Sequence, residues 1–269
     1  MEKKFMGFIG TGNMGGALAK AAAKAIAPEA LYLADSDTAK AAALAQTLGC
    51  QTASAVQIAE NCGYIVLGVK PQMMEGLFVD IAPVLAARQE PFVLISMAAA
   101  VAISEIRRMA GKDYPVIRIM PNMPVAVGSG VVMYDVTENV TEAQQARFLQ
   151  TMRHVGLIDR IPEKLMDAGS AVSGCGPAFV ALFLEALADG GVACGLPRKQ
   201  AQEYAAYTLQ GTARMLLESG MHPGQLKDAV CSPGGTTIAG VRALEQNGFR
   251  GAAMEAVEAA YRRTLELGK

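Results

Sequence analysis

A short apolar run, residues 5–9, passes straight into Gly10-Thr11-Gly12-Asn13-Met14-Gly15 and from there into an alanine-rich helical segment, residues 13–26. That order of strand, glycines and helix leaves few folds open. G-x-G-x-x-G uses its glycines for a tight turn, for close approach of a pyrophosphate and for helix-strand packing, while the helix start offers N–H donors to the phosphates. A plain glycine-rich turn is the alternative, but the motif sits at the first strand of a βαβ series. We therefore expect dinucleotide binding through Gly10, Thr11, Gly12, Asn13 and Met14.

Strand-like runs recur at 31–34, 64–69, 92–96, 116–120, 130–134 and 157–161, with helical segments at 37–48, 72–87, 103–109 and 141–154 between them. This alternation is the pattern of a parallel sheet. From Glu163 onward strand signals stop, and the helical pattern is broken at Gly174-Cys175-Gly176-Pro177, Gly195-Leu196-Pro197, Gly220-Met221-His222-Pro223, Ser232 to Thr237 and Asn247-Gly248. The expected fold class is α/β, with an N-terminal Rossmann-type doubly wound sheet (1–161) followed by an all-helical C-terminal domain (162–269).

Ligands of such a sheet bind at the carboxyl ends of its strands, which brings several residues forward. Asp35 stands where an acidic residue accepts the ribose 2′-OH and favours NAD(H); Ser36 and its backbone could instead hold a phosphate, and Asp37 could simply cap the next helix. In Val69-Lys70-Pro71, Lys70 either meets ribose or phosphate or is a solvated loop lysine. Met97, Ala98 and Ala99 leave room for a nicotinamide ring, or only reflect an alanine-rich chain. Asn122, fixed between Pro121 and Met123-Pro124, could bind cofactor or substrate or satisfy its own turn.

Much later, Ser232-Pro233-Gly234-Gly235-Thr236-Thr237 separates two helical patterns. Paired glycines permit φ > 0 and close backbone approach, and Thr236 and Thr237 can cap a helix running through Leu244. A helix start also presents N–H groups to an anion, so both a capped turn and an anion cradle are open.

Composition limits the chemistry. A net charge of −1 argues against nucleic-acid or anionic membrane surfaces. Five dispersed cysteines without C-x-x-C fit reduced thiols. The two histidines, His154 and His222, form no His-Asp constellation, which disfavours a dehydrogenation that must deprotonate an alcohol. β-Hydroxyacid dehydrogenases place a lysine early in the long second-domain helix, whereas 174–185 contains none. No residue cluster suggests a metal. Hydride addition to a polarised C=N bond fits better. With 52% hydrophobic and 18% charged residues, the chain has apolar surface to bury. The stripe Phe179, Leu182, Phe183, Ala186 and Gly190 is either an intramolecular core or the face of a second copy. The residues from Met1 to Phe5 and the short run after them suit neither a signal peptide nor a membrane span, so a soluble cytoplasmic protein is expected.

The Gly-Asn-Met-Gly loop, Val69-Lys70-Pro71, Met120-Pro121-Asn122-Met123-Pro124, Val172 to Phe179, Ala188-Asp189-Gly190-Gly191-Val192, Gly195-Leu196-Pro197-Arg198 and His222 through Thr237 occur in order. Together they closely resemble pyrroline-5-carboxylate reductase over nearly the whole chain. The resemblance implies reduction of Δ1-pyrroline-5-carboxylate to L-proline by NADPH, with NADH also possible. It implies that Gly235, Thr236 and Thr237 offer N–H groups to the substrate carboxylate and that the Thr237 hydroxyl meets the imine nitrogen. Ser232 and Glu163 match positions near the ligands, and Ala100 stands where the family often carries glycine. It also implies interlocked helical homodimers, often five to a ring, with the nucleotide crevice of one chain meeting the partner's cradle.

Overall fold

The computed structural model describes residues 5–267. The targeting reading of Met1 to Lys4 lies outside the described residues. In chain order the elements are β1 (Met6–Ile9), α1 (Asn13–Ala23), β2 (Leu31–Ala34), α2 (Thr38–Leu48), β3 (Gln51–Thr52), α3 (Ala55–Asn61), β4 (Tyr64–Leu67), α4 (Met74–Ala87), β5 (Val93–Ser96), α5 (Ile103–Ala110), β6 (Val116–Pro121), β7 (Gly130–Val136), α6 (Glu142–Met152) and β8 (Gly156–Arg160). Six helices follow: α7 (Met166–Ser173), α8 (Gly176–Ala193), α9 (Arg198–Ser219), α10 (Pro223–Val230), α11 (Thr236–Gln246) and α12 (Phe249–Leu267).

The strands form one sheet in the order β3-β2-β1-β4-β5-β6-β7-β8. The first six follow the doubly wound arrangement, in which β1 lies between β2 and β4 and the strand order reverses. All pairs are parallel except β6 with β7, where Pro121 lies opposite Val132. This departs from a wholly parallel expectation for a simple reason. Only a 3-10 turn, Met123–Val127, lies between the two strands, too little chain for a crossover.

Strand side chains alternate between two cores. Phe8, Val66 and Ile95 pack on one side with Leu18 of α1 and Phe148 of α6. Ile9, Ile65 and Leu94 pack on the other with Ile58 of α3 and Phe78 of α4. Burial on both faces explains why these strands read as continuous apolar runs, and each fully buried side chain of this size contributes about 1.5–3 kcal/mol. Periodicity does not disclose β3 or α3, because one has two residues and the other seven.

The chain forms two compact units: one runs to Gly174 and includes the helix end from Tyr261, and the other is Cys175–Ala260. In the second, α8 packs on α9 through Ala188, Ala201 and Ala205, with Leu184 and Val192 beside them. The stripe expected from the sequence faces elsewhere: Leu182 is 68% exposed. Phe183 lies against Phe249, ring centroids 5.3 Å apart. The stretch Glu163–Ala193 is apolar and long enough to cross a membrane by length and composition alone, with an 18-residue window of mean hydropathy 1.7.

Candidate active site

The glycines of the first loop answer to different demands. Gly10 has φ +104°, and a Cβ on it would lie 2.5 Å from the Gly68 carbonyl carbon and oxygen. A Cβ on Gly15 would collide with the Gly10 carbonyl oxygen. Gly12 is different, because nothing lies within 4 Å of its Cβ position. Its free side lines a crevice of about 1130 Å³ running over the carboxyl ends of β1, β2 and β4. As the residue before α1, Gly12 makes no side-chain cap, so the first N–H groups of the helix, beginning at Asn13, lack intrahelical partners. Thr11 is buried. These residues fit a pyrophosphate: glycine is imposed by the chain at Gly10 and Gly15 and leaves space at Gly12.

Asp35 also lines the crevice, as do Ser36, Val69 and Lys70. Its Oδ2 accepts from the Thr11 N–H at 2.7 Å and from the Thr11 hydroxyl at 3.0 Å. Its Oδ1 accepts from the Asp37 N–H at 3.1 Å and, more weakly, from the Ser36 hydroxyl at 3.4 Å. A carboxylate has about four acceptor positions, and all four are engaged. Burial pushes the Asp35 carboxyl up, but the Thr11 and Asp37 N–H groups, the Thr11 hydroxyl and the Lys40 charge outweigh it, and its pKa lies below the ordinary value. Asp35 therefore clamps the β1–α1 turn to the end of β2. Asp37 caps α2 by accepting from the Lys40 N–H.

Lys70 is exposed and precedes the 3-10 turn Pro71–Met73. Met97, Ala98 and Ala99 follow β5 at the same edge of the sheet but do not line the crevice. Their loop contains Ala100 at φ +59°. Asn122 follows β6 and is spent on structure: its Oδ1 accepts from the Val131 N–H and its Nδ2 donates to the Ser173 carbonyl. The Glu163 carboxylate is likewise engaged, accepting from the Ile103 N–H and from Arg118, both at 2.8 Å.

The second loop lies in the helical unit. Gly234 takes φ +67°, as the paired glycines allow. The expected threonine cap does not form. Gly235 is the residue before α11, with Thr236 and Thr237 inside the first turn, and no side chain caps the helix. The Gly235 N–H, expected to meet the substrate carboxylate, instead donates to the Ser232 carbonyl and closes the turn. Thr236 and Thr237 are the first two residues of the helix, so their N–H groups occupy positions without intrahelical partners. A Cβ on Gly235 would strike the Ser232 hydroxyl, so Ser232 shapes the same turn.

Lys40, Thr52, Ser54, Gln57 and Asp80 line the crevice too, and sequence reasoning passes over them. One signal could have found part of the set: Ser54 and Gln57 form a capping box that opens α3. Among the described residues no group of three or more His, Cys, Asp or Glu side chains could hold a metal ion.

A family pattern described as pyrroline-5-carboxylate reductase dimerisation matches residues 163–267. A second, described as NADP oxidoreductase, coenzyme F420-dependent, matches residues 6–100. The chain is 43% identical to a pyrroline-5-carboxylate reductase of Synechocystis sp. over 267 residues, covering 98% of each. It is 39% identical to that of Escherichia coli over 272 residues, covering 100% of each. A crystal structure of pyrroline carboxylate reductase from Plasmodium falciparum with NADP bound superposes with a TM-score of 0.86 at 34% identity, over 100% of both chains. A pyrroline-5-carboxylate reductase from Coxiella burnetii gives a TM-score of 0.90 at 30% identity, over 99% of both.

Proposed function

The chain belongs to the pyrroline-5-carboxylate reductase family, and from that premise we propose how it carries out the last step of proline biosynthesis with a nicotinamide dinucleotide. The bound cofactor supplies a hydride to the C=N carbon of 1-pyrroline-5-carboxylate, and a proton on nitrogen completes L-proline. The observation that carries the nucleotide half is the first loop, where Gly12 keeps open the space a pyrophosphate needs at the start of α1.

In this reading Gly10, Thr11, Gly12, Asn13 and Met14 hold the pyrophosphate, Val69, Lys70 and Pro71 flank the ribose, and Met97, Ala98 and Ala99 border the nicotinamide. Asn122 fixes the neighbouring rim. NADPH is the preferred cofactor. Asp35 has no strong acceptor position left for a 2′-OH, whereas Ser36 and the Lys40 ammonium border the crevice and suit a 2′-phosphate. NADH binds by displacing the weak Ser36 contact. The N–H groups of Thr236 and Thr237 take the substrate carboxylate on a turn built by Ser232 and Gly235, and the Thr237 hydroxyl orients the imine nitrogen. Rate comes from positioning, since no histidine or lysine acid lies in the cradle.

The enzyme is a homo-oligomer. We assign the apolar face of α8 to a second copy rather than to lipid, because it falls inside the segment matched to dimerisation. We keep the functional boundary at 161/162, just after β8 and just before that match, although the compact units divide later, at Gly174/Cys175. Dimers gathered into a decamer and a cytoplasmic location complete the proposal. The test is oxidation of NADPH and NADH with 1-pyrroline-5-carboxylate by the parent and Thr237→Ala. No oxidation by the parent sinks the reading; an unimpaired Thr237→Ala removes only that hydroxyl's role.

A further inference from the structure

The loop 97–102 that borders the nicotinamide in the proposed reading is held in a costly conformation. Ala100 has φ +59°, in the left-handed region that an L side chain disfavours. At its start the loop is anchored by Ser96, fully buried in β5, whose hydroxyl accepts from the Ala98 N–H at 3.4 Å. At its end comes α5, whose N-cap, Ala102, has no side chain able to take the free N–H groups of the first turn. That role is filled from 60 residues away, where the Glu163 carboxylate accepts from the Ile103 N–H at 2.8 Å. A negative charge there also suits the positive end of the helix dipole.

Glu163 is itself fixed on several sides. Its own N–H donates to Asp135 Oδ2 at 2.8 Å. The same Oε1 that caps α5 accepts from Arg118 Nη1 at 2.8 Å, and the Arg118 side chain is 5% exposed. Asp167 stands 3.8 Å from Arg118 as a second counter-charge. The carboxylate is thus held through Oε1, which a helix start and a buried guanidinium share.

We propose that Glu163 is a positioning residue that caps α5 from outside the helix and so holds loop 97–102 against the nicotinamide. This rests on the reading that the loop flanks the cofactor, but the capping itself can be tested without cofactor. Hydrogen exchange is measured on the apo protein for the parent, Glu163→Ala and Glu163→Gln, together with kcat and KM. Glu163→Ala is expected to speed exchange across 101–103 about tenfold, as loss of one cap should, while β4 exchanges as in the parent. Its kcat with NADPH should fall about tenfold or more with KM for the imine within about twofold, since a displaced ring costs rate rather than substrate affinity. Glu163→Gln keeps an acceptor oxygen and should restore most of both.

If leaving the buried Arg118 with Asp167 alone, at 3.8 Å, prevents Glu163→Ala from folding, the double variant Glu163→Ala/Arg118→Met takes its place in the same comparison. Parent-like exchange at 101–103 in the alanine variant would overturn the proposal, as would equal impairment of the alanine and glutamine variants. A parent that fails to reduce the imine instead sinks the proposed function, with the exchange result still deciding the cap.

Discussion

The sheet unit and the helical unit of this chain solve the same burial problem in opposite ways. In the sheet unit Phe8, Leu18, Ile58, Ile81 and Phe148 are fully buried, on both faces of one layer. In Cys175–Ala260 the buried apolar residues among those described are three alanines and Leu226. Leu182, Tyr207, Met254 and Leu217 stand 68%, 74%, 63% and 86% exposed. The small residues let α8 and α9 approach closely: a Cβ on Gly191 would lie 3.3 Å from that of Ala201. The two helices thereby spend their alanine faces on each other and keep their large side chains for another surface. One unit has a core of its own; the other buries little within itself and, in the proposed reading, completes its core with a second copy.

Substitutions can break that contrast or sharpen it. The largest effect is expected from Phe8→Ala, about 3–5 kcal/mol of stability lost, with the loss independent of protein concentration in denaturant titrations. Leu182→Arg should leave the isolated chain nearly as stable and cost roughly 2 kcal/mol or more of association, read as a melting temperature that falls on dilution. If Leu182→Arg associates like the parent, the α8 face is not the shared surface.

Smaller effects test the clamp inside the sheet unit. Because the Asp35 pKa is depressed on folding, its contribution is present above the unfolded value and fades as pH falls through the folded one. The parent should lose stability below about pH 4 more steeply than Asp35→Asn, and at neutral pH the variant should be weaker by roughly 1 kcal/mol, discounted for partial exposure. Equal acid slopes would remove Asp35 from the account. Ala100→Gly relieves the left-handed strain and should raise stability by about 1 kcal/mol in thermal melts, with no effect on association.

The same contrast explains what the sequence discloses. Two-sided burial writes itself as apolar runs, so the inner strands β1, β4, β5 and β6 are legible, and the first loop is legible because steric clashes at Gly10 and Gly15 demand glycine. Shared burial is not legible in that way. The stripe through Phe179 and Leu182 has helical spacing whether it meets α9 or a partner, and only the packing shows that Ala188 and Val192 take the α9 side. Site chemistry is legible by residue type but not by geometry. Asp35 reads as a ribose ligand, and its carboxylate already accepts from Thr11, from Asp37 and, weakly, from Ser36. Thr236 and Thr237 read as caps and lie one and two residues past the cap position, and Glu163 reads as a ligand neighbour and also caps α5. In each case a one-residue shift or a tertiary partner decides, and neither leaves a trace in spacing.

The most direct test of the shared core is turnover of 1-pyrroline-5-carboxylate with NADPH across a dilution series, with sedimentation run on the same samples. The account expects activity per chain to fall in step with the fraction of associated chains, and Leu182→Arg to reach that loss at higher concentration. A monomer with the full activity of the assembled enzyme would contradict it.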